Sequence, residues 1–340
     1  MIENMEVVVK PYGPEWKIVW DDSVDEVRQS SFLLKRDFMD YHSARFADRS
    51  LLLLNAKGKV TALLPACENP ADSTQVVSHA GLTYGGLLLT PDATAAQVMQ
   101  SMFLCADYYR NCGYATWVYK PMPHIYHRYP AEEDLYAVFR LNGQLSARTL
   151  SSAIRLDAPY KLSELRRRKA NKFLRDQQPE PLRSDNVRHL PAFWQMLDEV
   201  LVTRHGRHPV HTLSELQLLC SRFPREIRLL TVFDTTSPTA EPPLLAGCLL
   251  FLCSRVAHVQ YIAASDEGCR LSALDWLLAG LPEWLHREAP AAEYLDFGIS
   301  TEQEGRWLNE GLVFQKEGFG ARAVCYDTYV FNLEFIMYNV

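Results

Sequence analysis

The stretch from His258 to Asp327 constrains this chain more than any other. It opens with a β-rich run, His258-Val-Gln-Tyr-Ile262, and breaks at a turn of small residues containing one glycine, Gly268. The turn leads into an amphipathic helical segment, Leu271 to His286. A second strand, Tyr294 to Gly298, ends in Asp-Phe-Gly. A short helix then ends in Lys316-Glu-Gly-Phe-Gly320, and a last strand starts at Ala323. Strands alternating with helices in this order call for an α/β (α+β) domain, a sheet flanked by helices.

A length of 340 residues exceeds one ordinary small domain, and two of about 150 to 180 residues are expected. Hydrophobic residues at 48% and charged residues at 22% mark a globular chain. A net charge of −6 argues against broad nonspecific nucleic-acid binding and leaves room for a local basic site. The eight cysteines form no Cys-x-x-Cys pair and sit mostly in apolar runs. They read as reduced core thiols. Met1 to Glu6 has neither the basic nor the apolar region of a secretory signal. The most apolar runs, Leu51–Leu54 and Leu244–Cys253, are about half the length of a membrane span. A cytoplasmic location is therefore expected.

Ser50–Leu54 and Val60–Leu64 flank Asn55-Ala-Lys-Gly58, a hairpin loop. Apolar residues from Thr94 to Cys112 recur at helical spacing, and Gly113 closes that helix. A strand, Tyr114–Tyr119, follows. Lys161–Arg175 is a basic helix, and the linker after it runs over 177–186. Pro191 opens another helix, and Thr212 with Glu215 is the capping box of the next. Strands are expected at 227–233, 245–251, 255–263, 294–298 and 323–332. This reading gives domains at 1–158 and 187–340 with the basic helix and linker, 159–186, between them.

Asp296, flanked by Leu295 and Phe297 in a central strand, needs a partner or a task. Arg204-His-Gly-Arg-His-Pro-Val-His211 holds three histidines, but no acid or cysteine sits at a ligand spacing, so no metal is expected. The bland alternative is a plain loop. The basic helix reads either as a solvated connector or as a face that contacts the phosphates of transfer RNA or of a nucleotide-linked acceptor. Ser265 or Asp266 suits a helix N-cap, and Ser300 with Gln303 forms a second capping-box pattern.

The element order from His258 to Asp327 resembles the second half of a GNAT acyltransferase fold. The Asp-Phe-Gly strand followed by Gln315-Lys-Glu-Gly-Phe-Gly320 is similar to the Fem-type peptidoglycan aminoacyltransferases and their bacterial GNAT relatives. Phe32–His42 and His79–Gly86 are similar to them as well. The resemblance implies two tandem GNAT-like domains, each a mixed, mostly antiparallel sheet flanked by helices. It implies acyl transfer to an amine, with the active site in the second domain.

Amine acylation needs a base and an acid, for which Asp296, His258 and Tyr261 are the candidates. The resemblance places Lys316 at the active site, where a cation offsets substrate charge. GNAT enzymes seat the pyrophosphate of acyl-CoA on a turn of the pattern Gln/Arg-x-x-Gly-x-Gly/Ala. Here Ser265 stands at the first position and Arg270 at the last, with Gly268 kept and Ser272 beyond them. Gly298 would let the donor approach closely. Arg204, His205 and His208 would line the acceptor pocket, and Arg36, Tyr84 and Lys120 would face it from the first domain. The implied donor is acyl-CoA, such as acetyl-CoA, with an aminoacyl-tRNA and a cell-envelope precursor acceptor as the Fem-type alternative. A GNAT fold without catalysis is the third reading.

Overall fold

The computed structural model describes residues 7–184 and 188–336. Two compact units interleave along the chain. The first takes the chain up to Thr149, then Thr301–Trp307, then Cys325 onward; the second takes Leu150–Ser300 and Leu308–Val324. Contiguous domains at 1–158 and 187–340 differ from this division because the final strand returns its C-terminal part to the first unit.

In the first unit the strands are β1 (Val7–Pro11), β2 (Leu51–Asn55), β3 (Val60–Leu64), β4 (Cys67–Asn69), β5 (Asp72–Val77), β6 (Leu88–Leu89) and β7 (Thr116–Tyr119). Its helices are α1 (Lys17–Glu26), α2 (Arg36–Met39), α3 (Ala95–Asn111) and α4 (Glu133–Arg140). β1, β2, β3 and β6 form an antiparallel sheet. β4 runs antiparallel to β5, and β5 parallel to β7. The β2–β3 turn forms because Asn55 Oδ1 accepts from the amides of Lys57 and Lys59, both at 3.0 Å. α3 starts at the Thr94–Gln97 capping box and buries Val98, Met102, Cys105 and Tyr109.

β8 (Gln144–Arg155) leads into the second unit. There follow α5 (Glu164–Gln177), α6 (Leu190–His205), α7 (Leu213–Arg222), β9 (Ile227–Phe233), β10 (Leu244–Cys253), β11 (Val256–Ala264), α8 (Asp266–Leu271), α9 (Ala273–Glu288) and β12 (Tyr294–Ile299). Two short strands, β13 (Thr301–Glu302) and β14 (Trp307–Leu308), precede α10 (Glu310–Glu317) and β15 (Arg322–Asn332). The C-terminal part of β15 pairs antiparallel with β7 in the first unit.

The sheet of the second unit has the order β8-β12-β11-β10-β9, antiparallel except for β12 against β11. α9 packs Leu277, Leu281 and Trp284 into a core with Leu230, Leu245, Leu250 and Leu295. Each such buried side chain contributes about 1.5–3 kcal/mol, which anchors α9 on the sheet. α5 begins at Glu164 because Ser163 caps it, so the first part of the expected basic helix is not helical. The helix expected at 271–286 is α9, and the turn expected before it is itself helical, as α8, with Ser272 at φ +69° between the two. No helix among the described residues is long and apolar enough to cross a membrane.

Candidate active site

β11 and β12 pair in parallel over three positions only, from Val256↔Tyr294 to His258↔Asp296. Beyond them the strands part for two local reasons. β11 bulges at Gln260, since Tyr261 opposes Leu249 while Val259 opposes Leu250. β12 bulges after Asp296 and rejoins β8 at Ile299↔Ser151, with Gly298 at φ +75°. A side chain rarely adopts that angle, so glycine suits the bend. The residues Val259–Ala264 therefore have no β12 partner.

At the point of parting lies a hydrogen-bonded chain. Asp296 is fully buried, with 0% exposure. It accepts from Ser151 Oγ at 2.5 Å, from the Gly298 amide at 3.1 Å and from His258 Nδ1 at 2.8 Å. Three donors on one buried carboxylate compensate for its lost hydration. A carboxylate accepts and does not donate, so His258 carries its proton on Nδ1 and leaves Nε2 for another partner. The His258 side chain is 15% exposed. A Cβ placed on Gly298 would lie 3.5 Å from His258 Cε1 and 4.0 Å from Nε2, so the bare glycine keeps that edge of the ring clear.

Lys316, on α10, is buried and donates to the carbonyls of Gly298 at 2.7 Å and Ile299 at 2.8 Å. It thus ties α10 to the β12 bulge. Burial pulls its amine down to about 8, with Asp296 opposing. The gap holds a cavity of about 190 Å³ bounded by Val259–Ile262, Leu278, Phe297, Leu312, Gln315, Lys316 and Phe319. Phe297 and Phe319 stack at 5.9 Å. Tyr261 lines this cavity, but its hydroxyl lies 2.7 Å from His211 Nδ1 and its ring packs edge-on to Trp194. It takes no part in the Ser151–Asp296–His258 chain.

The turn after β11 has a different character. Ser265 caps α8, accepting from the Gly268 amide at 3.1 Å. A Cβ on Gly268 would sit 1.9 Å from the Leu245 carbonyl oxygen, so packing against β10 accounts for this glycine. Asp266 and Glu267 occupy the first turn of α8, and Arg270 is paired with Glu267 at 2.7 Å. Arg204 lies 3.5 Å from Asp266. At the start of α9, Asp275 binds Arg166 at 2.5 Å and Lys169 at 3.7 Å. Acidic residues thus occupy the first turn of both helices, where negative charge gains from the dipole.

The other expected residues are accounted for locally. His208 Nδ1 sits 2.7 Å from Asp198 on an exposed surface. The side chain of His205 lies outside the described residues. In the first unit, Arg36 is buried, pairs with Asp40 and Asp48 at 2.5 Å each, and stacks 3.8 Å over Tyr12. Tyr84 is buried and donates to Ser31 Oγ at 3.1 Å. Lys120 donates to the carbonyls of His79 at 3.0 Å and Leu82 at 2.6 Å. All three are therefore bonded to groups inside that unit, and of the Arg36 guanidinium only Nε has no hydrogen-bond partner. Among the described residues no group of three His, Cys, Asp or Glu is placed to hold a metal ion. Ser151 was not singled out by sequence reasoning, and His211, one of the three histidines of the 204–211 stretch, pairs with Tyr261. The signal for Ser151 is a pair of hydroxyl residues, Ser151 and Ser152, buried between Leu150 and Ile154 in one strand.

No protein-family profile matches the chain, and no curated protein sequence matches it either. Solved structures do. FemX superposes with a TM-score of 0.64 at 10% identity, covering 95% of this chain and 97% of that one. L-PGS from Bacillus licheniformis gives 0.56 at 11%, covering 94% and 91%. A tandem GNAT protein from the clavulanic acid biosynthesis pathway gives 0.52 at 12%, covering 96% and 99%. The chain thus has a tandem GNAT-like fold of the Fem-like kind, with mixed sheets flanked by helices.

Proposed function

We propose that the second unit transfers an acyl group to an amine at the point where β11 and β12 part. The observation that carries this reading is the Ser151–Asp296–His258 chain at the point where β11 and β12 part, whose next residues on the two strands, Val259 and Phe297, line the cavity. The acceptor nitrogen attacks the acyl carbonyl carbon. A C–N bond forms, and the C–S or C–O bond to the carrier breaks. His258 Nε2 takes the amine proton, and the carrier leaves as a thiolate or alkoxide that is then protonated. Asp296 orients the ring and balances the imidazolium, and Ser151 positions Asp296. The Lys316 ammonium and the unpaired edge of β11 supply a positive field near the developing oxyanion.

The donor is an activated ester or thioester. An acyl-CoA seated on the Ser265–Ser272 turn would meet the carboxylates of Asp266 and Glu267, while Arg270 is held by Glu267. That observation favours a carrier bound away from this turn, as in the Fem-type reading with an aminoacyl ester of transfer RNA and a cell-envelope precursor as acceptor. The test needs neither carrier nor natural acceptor. A simple acyl thioester with hydroxylamine should give the hydroxamate and free thiol faster with the protein than without it. His258→Ala should lower that rate by about 10²- to 10⁴-fold. A wild-type rate equal to the uncatalysed one would support the non-catalytic binding role instead.

A further inference from the structure

We propose that the cavity between β11, β12 and α10 selects an uncharged, apolar acyl substituent of about five to eight carbon atoms, in preference to acetyl and to acyl chains ending in a charge. The proposal rests on the acyl-transfer reading of the same gap. It draws on two observations that the proton chemistry does not use, the cavity's size and its lining.

Size sets the upper and lower limits. A cavity of about 150 Å³ lined by Leu, Ile and Phe admits benzene. The gap here measures about 190 Å³; Ile262 on β11, Leu278 on α9, Phe297 on β12, and Leu312 and Phe319 on and after α10 give it walls of that kind, with Gln260, Gln315 and Lys316 as its polar part. An acetyl group would leave most of that space unfilled, and each methylene that fills it is worth about 10- to 200-fold in discrimination. The stacked pair Phe297–Phe319, with both rings buried, is a fixed part of that lining.

Charge sets the chemical class. The lining contains no carboxylate. The nearby Asp296 is turned toward Ser151, the Gly298 amide and His258. An ammonium at the end of an acyl chain would therefore be desolvated without an acceptor of opposite charge, next to Lys316. A terminal carboxylate would find only the one Lys316 donor that the Gly298 and Ile299 carbonyls leave, and would compete for it with the developing oxyanion.

The experiment uses N-acetylcysteamine thioesters of acetate, isovalerate, phenylacetate, 6-aminohexanoate and glutarate, with hydroxylamine as acceptor. The matching hydrolysis-inert amides are titrated in parallel by ligand-observed NMR. The expected result is kcat/KM for phenylacetyl and isovaleryl at least about tenfold above acetyl, aminohexanoyl and glutaryl. Leu312→Trp, which fills the cavity from a partly exposed position, should narrow the phenylacetyl-to-acetyl ratio by at least about tenfold. Ile262→Phe from the opposite wall should do the same, which keeps the test open if the first variant does not fold. The amides should bind wild-type and His258→Ala proteins in the same order as the thioesters react. Acetyl or a charged chain reacting as well as phenylacetyl, or both variants slowing all chains equally, overturns the selectivity. Failure of every amide to bind overturns it too. Selective amide binding without transfer would sink the acyl-transfer reading and leave the selectivity standing.

Discussion

Two lysines, Lys316 in the second unit and Lys120 in the first, share most of a description. Burial pulls each amine down to about 8. Each spends donors on a pair of backbone carbonyls, Gly298 and Ile299 for one, His79 and Leu82 for the other. Their surroundings differ. Lys316 holds the bulge that parts β11 from β12 and lines a cavity beside a carboxylate-oriented histidine. Lys120 holds the turn that follows β5, beside the ring of His79, whose Nδ1 has no hydrogen-bond partner. Burial and the neighbouring His42 push His79 down to about 3. A shifted pKa therefore marks both places, and only open strand edges and an oriented histidine set one of them apart as the proposed reaction site.

The strongest way to break this contrast is a pair of variants. Asp296→Asn should cut acyl transfer by about 10²- to 10⁴-fold, because the amide no longer favours the Nδ1–H tautomer or balances an imidazolium. Lys120→Met should leave transfer near wild type and cost about 1–3 kcal/mol of stability, since two carbonyls lose their donor. Hydroxamate assays and urea unfolding on both proteins decide it. Equal loss of transfer in both would make the first-unit lysine part of the chemistry.

The next effect lies in pH. Both lysines have folded pKa values below the unfolded 10.5, so the unfolded chain binds more protons between about 8 and 10.5. Stability from these groups rises with pH across that window and is lost as pH falls toward 8. The rise should shrink in either Lys→Met variant when unfolding is compared at pH 7.5 and 9.5. Transfer should move the other way and decline above about pH 8 as Lys316 loses its proton. In Lys316→Arg that decline should shift to higher pH, and in Lys120→Arg it should stay. A decline unmoved by Lys316→Arg would remove Lys316 from the chemistry.

Ser151 gives a smaller, more diagnostic change. Asp296 keeps the Gly298 amide and His258 when Ser151 is lost. Ser151→Ala should therefore lower kcat by about tenfold with little change in KM, a loss near 1.4 kcal/mol. A KM-only effect would mean that the hydroxyl packs the strand and does not position the carboxylate.

The two halves of that hydrogen-bonded chain were unequally legible in the sequence. Asp296 stood out because an acid between Leu295 and Phe297 needs compensation wherever the strand lies. Local signals were readable too: Asn55 with Gly58 in the hairpin and Thr212 with Glu215, each settled within a few residues. Ser151 reaches Asp296 across 145 residues of chain through the β8–β12 register, which no local pattern encodes. That the turn before α9 is itself a short helix was hidden, because six residues are too few to show a helical apolar spacing. At the turn after β11 the residues were visible, but not which amides and charges were already spoken for.

That turn yields the smallest expected change. Arg270 is exposed and paired with Glu267 one turn earlier on the same helix. Arg270→Ala should therefore leave both the unfolding midpoint and donor binding where they were. Coenzyme A and acetyl-CoA, titrated against an ATP control, should likewise give no shift of their own, because Asp266 and Glu267 put negative charge on the first turn of α8. A specific ligand at about 100 times its Kd would add about 2.7 kcal/mol, well within reach of a thermal scan. A CoA-specific rise that Arg270→Ala abolishes would show a pyrophosphate displacing Glu267 from the arginine. The turn after β11 would then join the β11–β12 gap as a working part of the site, and the donor would be a thioester of coenzyme A.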